Sequence, residues 1–413
     1  MGEVLKPADA AEVANRVRAA FDAGQTLEIV GSGARRALGH PVNADAILDL
    51  SALAGVTLYE PEELVLTVRP ATPMTRIAAL LAEGRQHLAF EPPDFGPLWG
   101  QAPGGGTIGG AIATGFGGPR RPSAGGPRDH LLGFSAVNGF GEPFAAGGRV
   151  VKNVTGFDLS KLMAGAFGTL GVITEMTLKV LPAPEAARTL MLPDLSDAAG
   201  LAALRAAFAS PVAISAAAHL PADIPGRIPG GALPTGRAAT LIRLEGVVPA
   251  LAASEQALAA VLGLAGGAFG HIEDEPSRAL WRAIGGAWAF ATSAAPVWRV
   301  CAPPAGTAGL GAALRLAGAT GLYYDWGGGA LWVEGPRTPD AGAAAIRAAL
   351  AALAGEGHAT LVRAPAGLDP SVARFQPASP GVGRLTARIR AQFDPKGLFN
   401  PGRMGPGRME DAA

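Results

Sequence analysis

Residues 104–111 read Gly-Gly-Gly-Thr-Ile-Gly-Gly-Ala, inside a glycine- and proline-rich run over 91–128, EPPDFGPLWGQAPGGGTIGGAIATGFGGPRRPSAGGPR. The three glycines lead into a small-residue helix predicted over 107–114, with Thr107 as its N-cap. A first turn almost free of side chains offers backbone N–H groups and the positive end of a helix to an anion. A flexible linker is the alternative reading, although linkers seldom carry residues such as Ile108 and Ile112 among their glycines. A loop this long inside a compact domain is usually functional.

Upstream, Val13, Val17, Ala20 and Phe21 share one helical face over 9–23, with Asp9 and Glu12 spaced as a capping pair and Gly24 placed to end the helix. TLEIV at 26–30 reads as a strand running directly into Gly31-Ser32-Gly33-Ala34-Arg35-Arg36. Backbone without β-carbons can approach phosphate oxygens and adopt positive φ, so this turn reads as half of a diphosphate cradle, with an ordinary tight turn as the alternative. No Gly-Lys-Ser/Thr follows, so it is not a Walker A loop. The third glycine and downstream helix of a Rossmann fingerprint are also missing. Further strands are expected at 46–50 and 64–69 and a helix from Pro73 to Glu83.

Downstream of the central run, FSAVN and PFAAGG flank Gly139-Phe140-Gly141-Glu142 as a hairpin. A third element, VKNVTGFDLSKLMAGAFGTLGVITEMTLKV at 151–180, spaces Gly165, Gly168 and Gly171 before a strand over 172–180 with one face more buried than the other. Close passage of backbone along a flat ligand or a packed loop would both explain those glycines. Pro182 and Pro184 mark a domain boundary. Residues 185–380 mix helical runs (197–208, 249–263, 340–354) with strand-like TLIRLEG, WRVCAP and ALWVEG, as expected of a separate α+β domain. A last helix around 384–393 leads into FDPKGLFNPGRM.

Composition narrows the function. Lysine plus arginine and aspartate plus glutamate number 34 each, so there is no basic field for nucleic acid. The single cysteine, Cys301, allows no internal disulfide, which fits a reducing cytoplasm. One cysteine and six scattered histidines supply neither an iron–sulfur cluster nor a structural zinc, and no metal site is expected. The start, MGEVLKPADAAEV, has no basic-then-apolar leader, and apolar stretches such as 256–269 are too short to cross a bilayer.

Taken in order, the three glycine elements resemble the FAD domain of the vanillyl-alcohol-oxidase (PCMH-type) family over roughly 1–182 and 384–404. The resemblance implies an α+β fold: a two-lobed FAD-binding domain over 1–182 (lobes about 1–55 and 56–182), a cap domain with an antiparallel sheet over 183–383, and a C-terminal return over 384–413. It assigns FAD contacts to Gly31, Ser32, Gly33, Ala34 and Arg35, then to Gly105, Gly106, Thr107, Gly109, Gly110 and Thr114. Gly168, Gly171, Val172, Ile173 and Asn400 complete that set. The stretches PPDFGPLWG, GPRRPSAGGPRDHLLG, GGRVVKNVTGFDLSKLMAG, YDWGGGALW and FDPKGLFNPGRM are similar to one branch, the E-type FAD-binding subunits of glycolate oxidases. Phe157 stands where that branch commonly has Tyr. The first loop has no His, the residue that some family members link to flavin, which implies non-covalent FAD.

Oxidising a 2-hydroxy acid needs a base near the hydroxyl and a cation for the carboxylate. Catalytic relatives acting on D-2-hydroxy acids hold a metal with paired His and a Glu, and no such cluster is visible here. Arg282 and Arg299 are the candidates for a bidentate carboxylate clamp, with a solvated or ion-paired fate as the alternative. The catalytic residues stay unassigned. The resemblance implies a flavin-bearing subunit that works with a homologous catalytic FAD subunit and an iron–sulfur subunit, cytoplasmic or peripheral at the inner membrane through them. A self-sufficient FAD-dependent dehydrogenase and a flavin-free scaffold stay open beside it.

Overall fold

The computed structural model describes residues 3–149, 157–264, 269–353 and 355–405. The opening of the 151–180 element and the end of the C-terminal return lie outside them. Helix α1 (Ala10–Ala23) begins where Asp9 accepts a hydrogen bond from the Glu12 amide and ends at Gly24 in the left-handed region, as its sequence predicts. Its apolar face buries Val13, Val17 and Ala20 between two sheets.

The first sheet is small and parallel. Strands β1 (Glu3–Leu5), β2 (Leu27–Val30) and β3 (Ala46–Asp49) lie in the order β1-β3-β2. The C-terminal return completes it: the Leu27 amide donates to the Leu398 carbonyl at 2.8 Å and the Asn400 amide to the Leu27 carbonyl at 2.9 Å. Leu398 and Phe399 thereby enter the same core as α1.

The second sheet follows in the chain. β4 (Val56–Glu60) and β5 (Val65–Val68) form one edge, and helix α2 (Met74–Glu83) leads to β6 (Gln86–His87). After the glycine-rich run and its helix α3 (Ile108–Thr114) come the hairpin strands β7 (Leu131–Val137) and β8 (Pro143–Gly147), then β9 (Val172–Lys179) and β10 (Leu181–Pro182). The order is β4-β5-β9-β7-β8, all antiparallel, while β10 pairs with β6. β9 follows the sequence expectation: the face of Val172, Thr174, Met176 and Leu178 is fully buried, while Glu175 and Lys179 on the other face are half-exposed. It is the middle strand, with the α2–α3 core contacting Ile173, Met176 and Leu178 while Val172 enters the α1 core.

The polypeptide then builds one antiparallel sheet of eight strands. They are β11 (Ala186–Pro193), β12 (Ala216–Leu220), β13 (Ala239–Gly246), β14 (Gly270–Glu273), β15 (Val297–Cys301), β16 (Gly321–Asp325), β17 (Ala330–Glu334) and β18 (His358–Arg363). Their order is β14-β11-β13-β12-β16-β17-β15-β18. Trp298, Val300, Leu322, Tyr324, Leu331 and Val333 face a layer of helices that includes Asp197–Ala209, Thr307–Leu316 and Ala343–Ala351. Tyr323, Trp332, Ala216, Ala218 and Leu241 face the other way, onto Leu38, Phe95, Phe116 and Phe167. Alternate strand positions therefore feed two separate cores, and the second core joins this sheet to the glycine-rich half of the chain.

Candidate functional site

The two glycine segments meet. The Ser32 hydroxyl donates to the Gly105 carbonyl at 2.7 Å, and a β-carbon at Gly31 would stand 3.2 Å from the Thr107 hydroxyl oxygen. Between the small parallel sheet and the five-stranded one they line a half-open cavity. Gly31, Ser32, Gly33, Ala34 and Arg35 line it, with Thr107, Gly109, Gly110 and Thr114 opposite and Gly168, Gly171, Ile173 and Asn400 closing one side. Three expected contacts do not reach the wall. Gly105 and Gly106 support it from behind, the former through Ser32 and the latter by accepting from the Met74 amide at 3.0 Å, and Val172 is buried in the α1 core.

The helix-terminus reading needs correction. The Ile108 amide donates to Thr72 O at 3.1 Å, the Gly109 amide to Pro70 O at 2.8 Å, and the Gly110 amide to the Thr107 hydroxyl at 3.3 Å. The first turn of α3 is therefore already satisfied by the turn after β5. Gly109 is glycine for that reason, since a β-carbon there would lie 2.7 Å from Pro70 O. The amides of Ser32, Gly33 and Gly105 have no intramolecular partner among the described residues. The anion-binding capacity thus sits in the loops and not in the helix end.

Among the described residues no aspartate or glutamate lines the cavity, whereas Arg35, Arg36 and Arg403 do. Arg36 and Arg403 both grip the buried Glu28 carboxylate, Arg403 Nη2 at 3.0 Å. Arg35 donates to the Thr114 hydroxyl at 3.0 Å and the Pro93 carbonyl at 2.6 Å, and has no ion pair among the described residues. Burial pulls its guanidinium down to about 10, with Asp94 opposing. It stays a cation at neutral pH.

Asn400 works chiefly as a clasp. Its Oδ1 accepts from the Ile29 amide at 2.9 Å and its Nδ2 donates to the Phe167 carbonyl at 2.8 Å, tying β2 to the 165–171 glycine turn. Gly168 admits it, because a β-carbon there would lie 2.7 Å from Nδ2. Sequence reading missed Arg36, Leu50, Pro70, Ala71, Phe167 and Arg403 as wall residues. Arg36 and Arg403 could have been suspected from GSGARR and NPGRM, but Pro70 and Ala71 present backbone and carry no signature.

The long 91–128 run is the seam between the two halves. Three indole N–H groups bridge it, two from the later half and one from the run: Trp288 donates to Asp94 O at 2.8 Å, Trp326 to Gly118 O at 3.0 Å, and Trp99 to Val362 O at 3.3 Å. Glu91, in the left-handed region at φ 42°, chelates Arg243 at 3.0 and 2.9 Å and accepts from Arg120 at 3.1 Å. Arg120 continues to Glu245 at 2.5 Å. Burial alone would raise the Glu91 carboxyl, but Arg243 and Arg120 hold it below its ordinary value. His87, half-buried beside Arg120, is driven down to about 4 and is neutral at pH 7.

The two substrate candidates part company. Arg282 is exposed on the helix Asp274–Gly285 and pairs with Glu275 at 2.5 Å, outside the cavity wall. Arg299, on β15, stacks 3.8 Å above the Phe116 ring at the seam. Among the described residues no group of three or more His, Cys, Asp or Glu could hold a metal, and no helix is long and apolar enough to cross a membrane.

Residues 3–147 match the family described as FAD binding domain. Over 379 residues, 92% of each chain, the sequence is 32% identical to glycolate oxidase subunit GlcE of Escherichia coli K12. The chain belongs to the GlcE family. Its FAD-type half extends further: D-lactate dehydrogenase of Anaerostipes hadrus is 31% identical over 170 residues, 40% of this chain and 34% of that one. In fold, 4-ethylphenol oxidase from Gulosibacter chungangensis superposes with a TM-score of 0.70 at 16% identity, covering 98% of this chain and 90% of that one. This GlcE-family chain therefore has the α+β fold of the vanillyl-alcohol-oxidase-type flavoproteins, and its cofactor is FAD.

Proposed function

We propose that this chain is the FAD-binding subunit of a glycolate oxidase complex, taking part in oxidation of a 2-hydroxy acid to the 2-oxo acid. The observation that carries the proposal is the cavity wall: glycine backbone from two distant segments, three arginines, no carboxylate, and apolar ends. That wall fits a long, flat, anionic dinucleotide. The residues named above as its lining are the proposed FAD contacts, with the Ser32 and Gly33 amides and Arg35 facing the diphosphate charge. Bound there, FAD supplies the two-electron redox chemistry. Among the described residues the lining contains no His, Cys or Tyr that could attach to it, which supports a non-covalent complex.

With one cysteine in its sequence the chain has no ligands for an iron–sulfur cluster, so electrons passing to such a centre leave through another subunit. Its partners in this reading are a homologous catalytic FAD subunit and an iron–sulfur subunit, and its location is cytoplasmic or at the inner-membrane surface through them. The domain limits, 1–182, 183–383 and 384–413, belong to the same proposal. They are supported by the change of sheet between β10 and β11 and by the docking of Leu398–Asn400 on β2. Anaerobic addition of glycolate to the purified chain tests the assignment. The flavin should stay oxidised alone and bleach when the partner subunits are added. Rapid bleaching of the isolated chain would instead identify a self-sufficient dehydrogenase.

A further inference from the structure

Arg299 has a guanidinium with no counter-ion. It makes no hydrogen bond among the described residues, and its Nε is buried without a partner. Arg299 as a whole is only partly buried, but a buried guanidinium nitrogen without a partner is costly and calls for a reason. Packing explains part of it: one face lies on Phe116 and the Trp326 ring is 5.5 Å away. Stacking occupies the faces of the planar group and leaves its in-plane N–H edge open.

The surrounding charges do not neutralise it. Arg121 is a second cation nearby, half-exposed and 3.5 Å from Asp129. His358, one strand over, is pushed below its ordinary value by burial and by Arg299 itself, and stays neutral. Glu91 and Glu245 are engaged by Arg243 and Arg120. Asp325 is the remaining acid, and it accepts from the Trp326 amide at 2.7 Å. Burial raises its carboxyl to about 7, so near neutrality it supplies only part of a negative charge.

The group also stands close to the cavity. Phe116 is two residues beyond Thr114, a wall residue that holds Arg35. Phe116 packs edge-on against Phe95 at 5.3 Å, and Arg35 lies 5.5 Å from that ring. Two aromatic rings, Phe116 and Phe95, therefore link Arg299 to Arg35 of the cavity wall.

We infer that the open edge of Arg299, framed by Phe116 and Trp326 with Arg121 beside it, binds the carboxylate of a small 2-hydroxy acid on this chain. The inference rests on the flavoprotein reading above, and it gives the chain a substrate subsite of its own. A planar fork matched to a carboxylate suits this ligand, and the aromatic frame limits its size.

The test is isothermal titration of the purified full chain with oxalate, a small dicarboxylate that cannot give up a hydride. The native chain should bind it, and R299M should bind about tenfold more weakly or less. R299K, which keeps the charge without the fork, should fall between them, and R282M should match the native chain. Thermal melts of each variant establish that it is folded. Oxalate binding by both R299M and R299K equal to that of the native chain, or no binding by the native chain, would overturn the inference. FAD is measured separately in the supernatant after denaturation. A chain without FAD would sink the flavoprotein reading while the oxalate titration still judges the anion site.

Discussion

Asp325 shows how burial turns one carboxyl into a pH-dependent liability. It is 1% exposed, and its pKa is raised to about 7, by burial first, against the Trp326 amide and Arg243. The folded chain thus holds this proton through a range where the unfolded chain has lost it. Its contribution to stability is present at acid pH and declines as pH rises from near 4 through about 7. Asp325→Asn removes the titration. Urea midpoints should show the variant gaining on the native chain between about pH 5 and pH 8, by on the order of 1–4 kcal/mol. A difference independent of pH would contradict this account. Glu91 behaves in the opposite way, because it is a half-buried acid paired with the buried Arg243. Glu91→Ala leaves Arg243 and Arg120 without it and should cost about 3–5 kcal/mol in the same assay.

Among the elements, the C-terminal return shows what sequence could and could not reveal. FDPKGLFNPGRM was legible as a segment coming back to the FAD half, and it does, as a partner of β2. Asn400 was expected at the cofactor, and it lines the cavity while both ends of its amide hold backbone. Asn400→Ala should leave the Ile29 amide and Phe167 carbonyl unpaired, lower stability by about 1–3 kcal/mol, and loosen FAD retention on gel filtration. The glycines of 104–110 were legible as a functional loop, but their division of labour was not. Pattern cannot show that Pro70 and Thr72 carbonyls cover the start of α3, since those acceptors belong to backbone and leave no trace in residue type. Gly109→Ala tests this. Its β-carbon would meet Pro70, so the melting temperature should fall by several degrees, as overpacking of about 1–3 kcal/mol implies.

Seen together, the two halves are joined by a seam that the sequence marked only as a long loop. Tryptophan indoles, the Arg243–Glu91 pair and the Phe95–Phe116–Trp332 packing fix the 91–128 run against the eight-stranded sheet. The alanine-rich middle region was legible as α+β. The single eight-stranded sheet was not, because β12, β14, β16 and β18 are short or alanine-rich and lack clear alternation. The proposed function depends on the two glycine segments enclosing one FAD. The most direct measurement is the absorption spectrum of the purified chain, followed by heat denaturation and chromatography of the supernatant. The account predicts a yellow protein that releases about one FAD per chain. A colourless protein, or flavin that stays with the precipitated polypeptide, would contradict it.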